Sequence, residues 1–165
     1  IKYYFGGKEQ LLEEVLENKL SYLRNIFIGL VKNQDMTAIE KIDRIIDLLI
    51  ERKFSSRNFH HLLHRELSLE KRPQLKDRVS DLLMLNVSPV KKILKDGIKS
   101  GEFKKVDAEM TVATVVGTVH YLLINDTMCQ KILDKKKDFS PFNNKQLKRR
   151  LSNHVKQLIR SHLLQ

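Results

Sequence analysis

The chain contains no tryptophan, one cysteine, three prolines and six glycines in 165 residues. A lone Cys129 excludes an internal disulfide and is compatible with a reducing compartment. So few breakers argue against a turn-rich β fold and favour long helices. Long apolar runs are also missing. The longest stretch, Val112 to Ile124, is interrupted by Thr114, Gly117, Thr118 and His120, and nothing approaches the roughly 20 apolar residues of a membrane span. No signal-peptide pattern opens the chain, so the expectation is a cytoplasmic protein without a membrane partner. The usual marks of catalysis are lacking too: no glycine-rich phosphate loop, no CxxC, and no Ser/His/Asp arrangement in a familiar local context. Glu13 and Glu14 are neighbours on a helix surface and do not face one another. Neither an enzyme nor a cofactor is expected.

What is present is a balanced globular composition, 41% hydrophobic and 31% charged, with a net charge of +11. The length fits one domain large enough to bury a core. Much of the charge lies between Lys131 and Arg160, where ten Lys/Arg face two Asp. Lys135-Lys136-Lys137 and Lys148-Arg149-Arg150 belong to this run. A basic segment attracts anionic surfaces without specificity, and the simpler reading is a solvated loop and helix face.

Hydrophobic spacing is helical nearly throughout. From Lys8 to about Val31, apolar residues from Leu11 to Leu30 recur at steps of three and four, with Glu9, Glu13 and Glu14 near the positive N-terminal end. Thr37 with Glu40 forms a capping-box pattern for a second helix ending near Phe54-Ser55-Ser56. A third spans Asn58 to Leu69, stopped by Lys71-Arg72-Pro73. Pro73 suits the first position of a fourth. Within that fourth helix Ser88-Pro89 predicts either a kink or a cap with a fresh helix running to about Lys99. Asp107 can cap a helix from Ala108 to about Leu133, and a last helix covers Lys145 to Leu164. The expectation is an all-α domain of about six helices.

Two separated stretches carry a resemblance. Tyr3-Tyr4-Phe5-Gly6-Gly7-Lys8-Glu9-Gln10-Leu11-Leu12 resembles the end of the DNA-binding domain of TetR-family transcriptional regulators. In that family a recognition helix runs out through paired aromatics before the next long helix. About 90 residues on, Gly97-Ile98-Lys99-Ser100-Gly101-Glu102-Phe103, followed by Asp107, is similar to the family's Gly-x-x-x-Gly-x-Phe turn and helix cap. The resemblance implies that residues 1-7 are the tail of a helix-turn-helix domain and residues 8-165 a ligand-binding and dimerisation domain. It places Tyr4 and Lys8 on DNA phosphates, with Tyr3 and Phe5 packed inward. Read without it, Tyr3 and Phe5 staple a helix start and Gly6-Gly7 is a turn.

The function implied is that of a ligand-responsive DNA-binding regulator, a repressor released from its double-stranded operator by a small molecule. DNA would be held through the N-terminal domain that is missing from this chain. The resemblance puts an effector pocket among the middle helices, where Phe54, Phe59, His60, Leu63, Met84 and Tyr121 are wall candidates for an apolar or aromatic molecule. It also makes the last two helices half of an intersubunit four-helix bundle. Their stripes supply Val112, Val116, Val119, Leu123, Leu151, Val155 and Leu158 as interface candidates of a homodimer. His60 and His64 share a helix face at metal-ligand spacing, but a site needs three or four ligands, so no metal is expected. The alternative function is a basic helical module binding an acidic protein or a membrane surface, which explains the charge and not the opening motif.

Overall fold

The computed structural model describes residues 8–68 and 73–164, and among these it contains seven α-helices and no strand. They are α1 (Lys8–Lys32), α2 (Ala38–Ser55), α3 (Arg57–Ser68), α4 (Pro73–Ser100), α5 (Ala108–Leu122), α6 (Asp126–Ile132) and α7 (Lys145–Leu163), with a short 3₁₀ turn at Pro141–Asn143. Tyr3, Tyr4, Phe5 and the side chain of Lys8 lie outside the described residues, as do Lys71 and Arg72.

The all-α expectation holds, with one division more than the spacing implied. The helix expected to run from Ala108 to Leu133 stops at Leu122, and Asn125 caps a fresh helix by accepting from Met128 N at 2.8 Å. Apolar periodicity runs across Leu122-Leu123-Ile124 without a pause, so hydrophobic pattern alone could not show the break. At Ser88-Pro89 the opposite occurs. Helix α4 runs unbroken from Pro73 to Ser100, with Pro89 buried inside it.

Helix α2 lies at the centre, packing on α1, α4 and α7 and against α3. Its buried residues Ile42, Ile45, Ile46 and Ile50 follow the helical period, as the core stripe of an amphipathic helix should. Its N-terminus is capped twice. The Thr37–Glu40 capping box is complete. The carboxylate of Glu102, more than sixty residues away, also accepts from Ala38 N at 2.9 Å and Ile39 N at 2.8 Å. An anion at a helix N-terminus satisfies orphan amides and meets the positive end of the dipole.

Glu102 reaches that position because of the turn after α4. Gly101 ends the helix with φ +82°, a left-handed conformation that glycine adopts without a Cβ penalty. Phe103 then folds back, its N–H donating to the Gly97 carbonyl at 3.0 Å. Its ring covers Gly97 so closely that a Cβ there would stand 2.4 Å from Phe103 Cδ2 and 3.1 Å from Ala38 Cβ. The Gly-x-x-x-Gly-x-Phe pattern is thus a steric requirement: one glycine for the close approach, one for the turn. Asp107 caps α5 as its position implied, accepting from Met110 N at 3.0 Å.

The basic C-terminal helix is less free than a solvated face. Arg160, Lys156 and Lys148 of α7 pair with Asp43, Asp47 and Glu51 of α2 in a ladder along the seam between the two helices. Arg149 and Arg150 remain exposed. Beneath the ladder Leu147, Leu151, Val155, Ile159 and Leu163 are buried. Each partly exposed pair contributes little alone, so apolar burial holds α7 in place and the charges set its register.

The Gly97–Phe103 contact makes a definite prediction. Gly97→Ala gains about 1 kcal/mol of helix propensity, yet it must displace a buried ring, and overpacking costs about 1–3 kcal/mol. Urea denaturation should show a lower midpoint for Gly97→Ala, partly restored by adding Phe103→Leu. A midpoint equal to or above wild type would show that the contact is not constraining.

Candidate functional site

Helix α5 presents Thr111, Val112, Val115 and Val119 inward, short side chains that cannot fill the distance to its neighbours. Beside them is a cavity of about 400 Å³. Leu20, Leu23 and Phe27 of α1 line it, as do Ile42, Ile45 and Ile46 of α2. Leu83, Val87 and Val90 of α4 face Val112, Val115 and Val119 of α5. Native interiors are close-packed, with few gaps larger than a water molecule. A space of this size lies instead within the range of small-molecule sites.

One end of the cavity differs from the rest. Lys53, from the last turn of α2, is 9% exposed and reaches into the wall. Its Nζ lies 3.0 Å from His120 Nδ1 of α5. His64 of α3 stacks on His120, ring centroids 5.1 Å apart. His60 Nε2 donates to the Arg52 carbonyl at 3.3 Å. These four side chains form a neck leading outward past His61, Arg57 and Phe142. Beyond it is a broad, open depression lined by Arg57, Asn58, His61, Leu62, Arg65 and Ser68. Arg57 is held by an ion pair to Asp126 at 2.9 Å and by the Phe142 ring at 4.8 Å.

The electrostatics of the neck follow from its dryness. Burial pushes the Lys53 ammonium down to about 8. Burial and then the neighbouring Lys53 charge push His60 down to about 4. His120 is lowered for the same two reasons, with His64 adding to them. Near neutral pH the neck therefore holds the Lys53 ammonium beside the neutral imidazoles of His60 and His120. Because Lys53 donates to Nδ1 of His120, that ring carries its proton on Nε2. A second polar group stands on the apolar wall: Asn86 is 9% exposed, and its Oδ1 has no hydrogen-bond partner among the described residues.

The structure brings together some of the expected pocket residues and not others. His60, Leu63 and Met84 line the cavity. Phe54 packs on Phe142 instead, and Phe59 packs into a smaller cluster around Leu16, Leu63, Leu75 and Val79. Tyr121 is 59% exposed and faces away. Of the interface candidates, Val112, Val119, Leu123, Leu151 and Val155 are buried within the chain, whereas Val116 and Leu158 are exposed. Nothing in the sequence joins Lys53, Asn86 and His120 into a site, because a lysine, an asparagine and a histidine on three different helices share no local pattern. His60 and His64 do lie at one site, but among the described residues no three His, Cys, Asp or Glu groups are placed to hold a metal ion. Cys129 is buried and its thiol is pushed up by burial and then by Asp126, the reverse of activation. No helix among the described residues is long and apolar enough to cross a membrane.

No family model matches the chain, and no curated protein matches it by sequence. Solved structures do match its fold. A Clostridium perfringens protein described as a fatty acid metabolism regulator superposes with a TM-score of 0.75 at 15% identity, covering 99% of this chain and 80% of that one. The transcriptional regulator FadR from Bacillus subtilis, solved in complex with stearoyl-CoA, superposes with a TM-score of 0.70 at 23% identity, covering 95% of this chain and 77% of that one. The chain shares its all-α fold with both proteins.

His60 links the neck to stability. Its folded value of about 4 lies below the usual 6.5. As pH falls through that window the unfolded chain takes up a proton that the folded chain refuses, and stability is lost. His60→Gln keeps a donor for the Arg52 carbonyl but cannot titrate. Between about pH 6.5 and 4, wild type should lose stability more steeply than His60→Gln in parallel urea titrations. Equal slopes would mean that His60 is not desolvated.

Proposed function

We propose that this chain is the effector-sensing and dimerising part of a TetR-like transcriptional regulator, and that its effector carries a long alkyl chain of the fatty acyl type. One observation carries the reading: an apolar cavity roofed by short valines that opens through a cationic neck onto a basic depression. Such a shape suits a ligand with a long apolar body and a polar or anionic end. An aromatic effector fits less well, since the wall offers aliphatic side chains with Phe27 the lone large ring. That FadR from B. subtilis binds stearoyl-CoA supports the same ligand class here.

The mechanism follows from who lines the cavity. Leu20, Leu23 and Phe27 belong to α1, the helix that begins beside the segment resembling the end of a DNA-binding domain. A ligand that fills the cavity favours one placement of α1 over another, and shifts the population by as much as it distinguishes them. In a dimer this alters the spacing of two DNA-reading helices, whose half-sites sit a fixed number of turns apart. The ligand thereby releases the operator, making the protein a repressor.

Dimerisation would use α5 and α7. On α5, Met110, Val116 and Tyr121 are exposed beside the small residues Ala113 and Gly117, and Leu158 is exposed on α7. Small residues let helices approach closely, and an isologous contact about a two-fold axis buries this face on both chains. The basic-module reading weakens because Lys148, Lys156 and Arg160 are engaged with α2 carboxylates.

Val115→Trp projects a bulky ring into the cavity from α5. In calorimetric titrations it should weaken stearoyl-CoA binding at least tenfold while leaving the helical circular dichroism unchanged. In a mobility-shift assay of the intact regulator on DNA upstream of its own gene, stearoyl-CoA should release the wild type and not Val115→Trp. Operator affinity that no long-chain acyl compound alters would overturn the proposal.

A further inference from the structure

The neck contains a charge that the protein leaves uncompensated. Lys53 is buried, its sole hydrogen-bond partner among the described residues is neutral His120, and it takes part in no ion pair among them. Every other group around it is neutral or positive: His60, His61, His64 and Arg57. Burying an ammonium without an anion is costly, and a lysine on the last turn of a helix could readily have reached water. Arg57 nearby shows the contrast, since it has its own carboxylate in Asp126.

The donors of the neck point to the chemistry that would satisfy it. An ammonium has three donors, and Lys53 uses one on His120. His120, accepting on Nδ1, carries a proton on Nε2. A carboxylate accepts from both kinds of donor and supplies the missing negative charge. A thioester or amide carbonyl accepts hydrogen bonds but leaves the ammonium unpaired. The cavity on the inner side of Lys53 is aliphatic, so a carboxylate at the neck would have its alkyl chain directed inward among Phe27, Ile46 and Val115.

We propose that Lys53 and His120 form a carboxylate-binding site at the neck of the cavity, so that the ligand recognised is a free long-chain carboxylic acid with its head group held inside the protein. This rests on the alkyl-chain reading of the cavity above, and it narrows that reading by assigning the head group. The outer depression then need not be filled by the ligand.

Three ligands sharing one chain separate the possibilities: palmitate, its neutral isostere palmitamide, and palmitoyl-CoA. They are titrated calorimetrically at pH 7 into wild type, Lys53→Met and Lys53→Arg, with thermal melts confirming that each variant folds. Wild type should bind palmitate at least tenfold more tightly than palmitamide and more tightly than palmitoyl-CoA. Lys53→Met should bind palmitate and palmitamide within about twofold of one another, and Lys53→Arg should keep the preference for the acid. Equal palmitate and palmitamide affinities in wild type would overturn the carboxylate site, as would a preference that survives Lys53→Met. Tight palmitoyl-CoA binding unaffected by Lys53→Met would overturn the site while leaving the alkyl-chain reading intact. Failure of all three ligands to bind would overturn both.

Discussion

The placement of α2 is the constraint on which everything else depends, and it is set at the turn where Phe103 lies on Gly97. That contact positions Glu102 to cap the first turn of α2 with both carboxylate oxygens. From there the helix runs 18 residues, about 27 Å at 1.5 Å per residue, to deliver Lys53 at the neck. The Asp43, Asp47 and Glu51 ladder to α7 holds its outer face, and its isoleucines form one wall of the cavity. A glycine near the C-terminal end of α4 therefore helps decide where a lysine at the far end of α2 comes to rest.

A cavity of this size is costly to a fold, because lining side chains lose contact with neighbours on one side. The chain keeps it by concentrating valine, threonine, alanine and glycine on α5, and by capping the ends of the surrounding helices. Asp107, Asn125 and Asn144 cap helices with side-chain oxygens. Lys104 N donates to the Leu163 carbonyl at 2.8 Å, tying the turn after α4 to the C-terminus of α7. Well-anchored ends around an underfilled centre suit the sensing role proposed above, in which α1 supplies cavity wall and carries the response toward the segment that resembles the end of a DNA-binding domain.

Much of this was legible from local chemistry. The helices, the Thr37–Glu40 box, the Asp107 cap and the glycine–phenylalanine turn each depend on residues within a few positions of one another. The division at Leu123 was not legible, because apolar residues continue through it and only the Asn125 side chain marks the new start. The site was legible in part. His60, Leu63 and Met84 lie at the cavity, whereas Phe54, Phe59 and Tyr121 are equally apolar but sit on other faces of their helices. Lys53 is one cation among several near a helix end, and nothing local in the sequence sets it apart. Its partner His120 is 67 positions away, so the neck emerges only when α2, α3 and α5 are assembled.

The most direct measurement is a crystal structure of the chain with palmitate bound. Density for an alkyl chain between α1 and α5, beside Phe27 and Val115, with the carboxylate within hydrogen-bond distance of Lys53 Nζ, is the expected result. A chain lying outside the cavity, or one with its head group at the end away from Lys53, would contradict the assignment of this cavity as the sensing site.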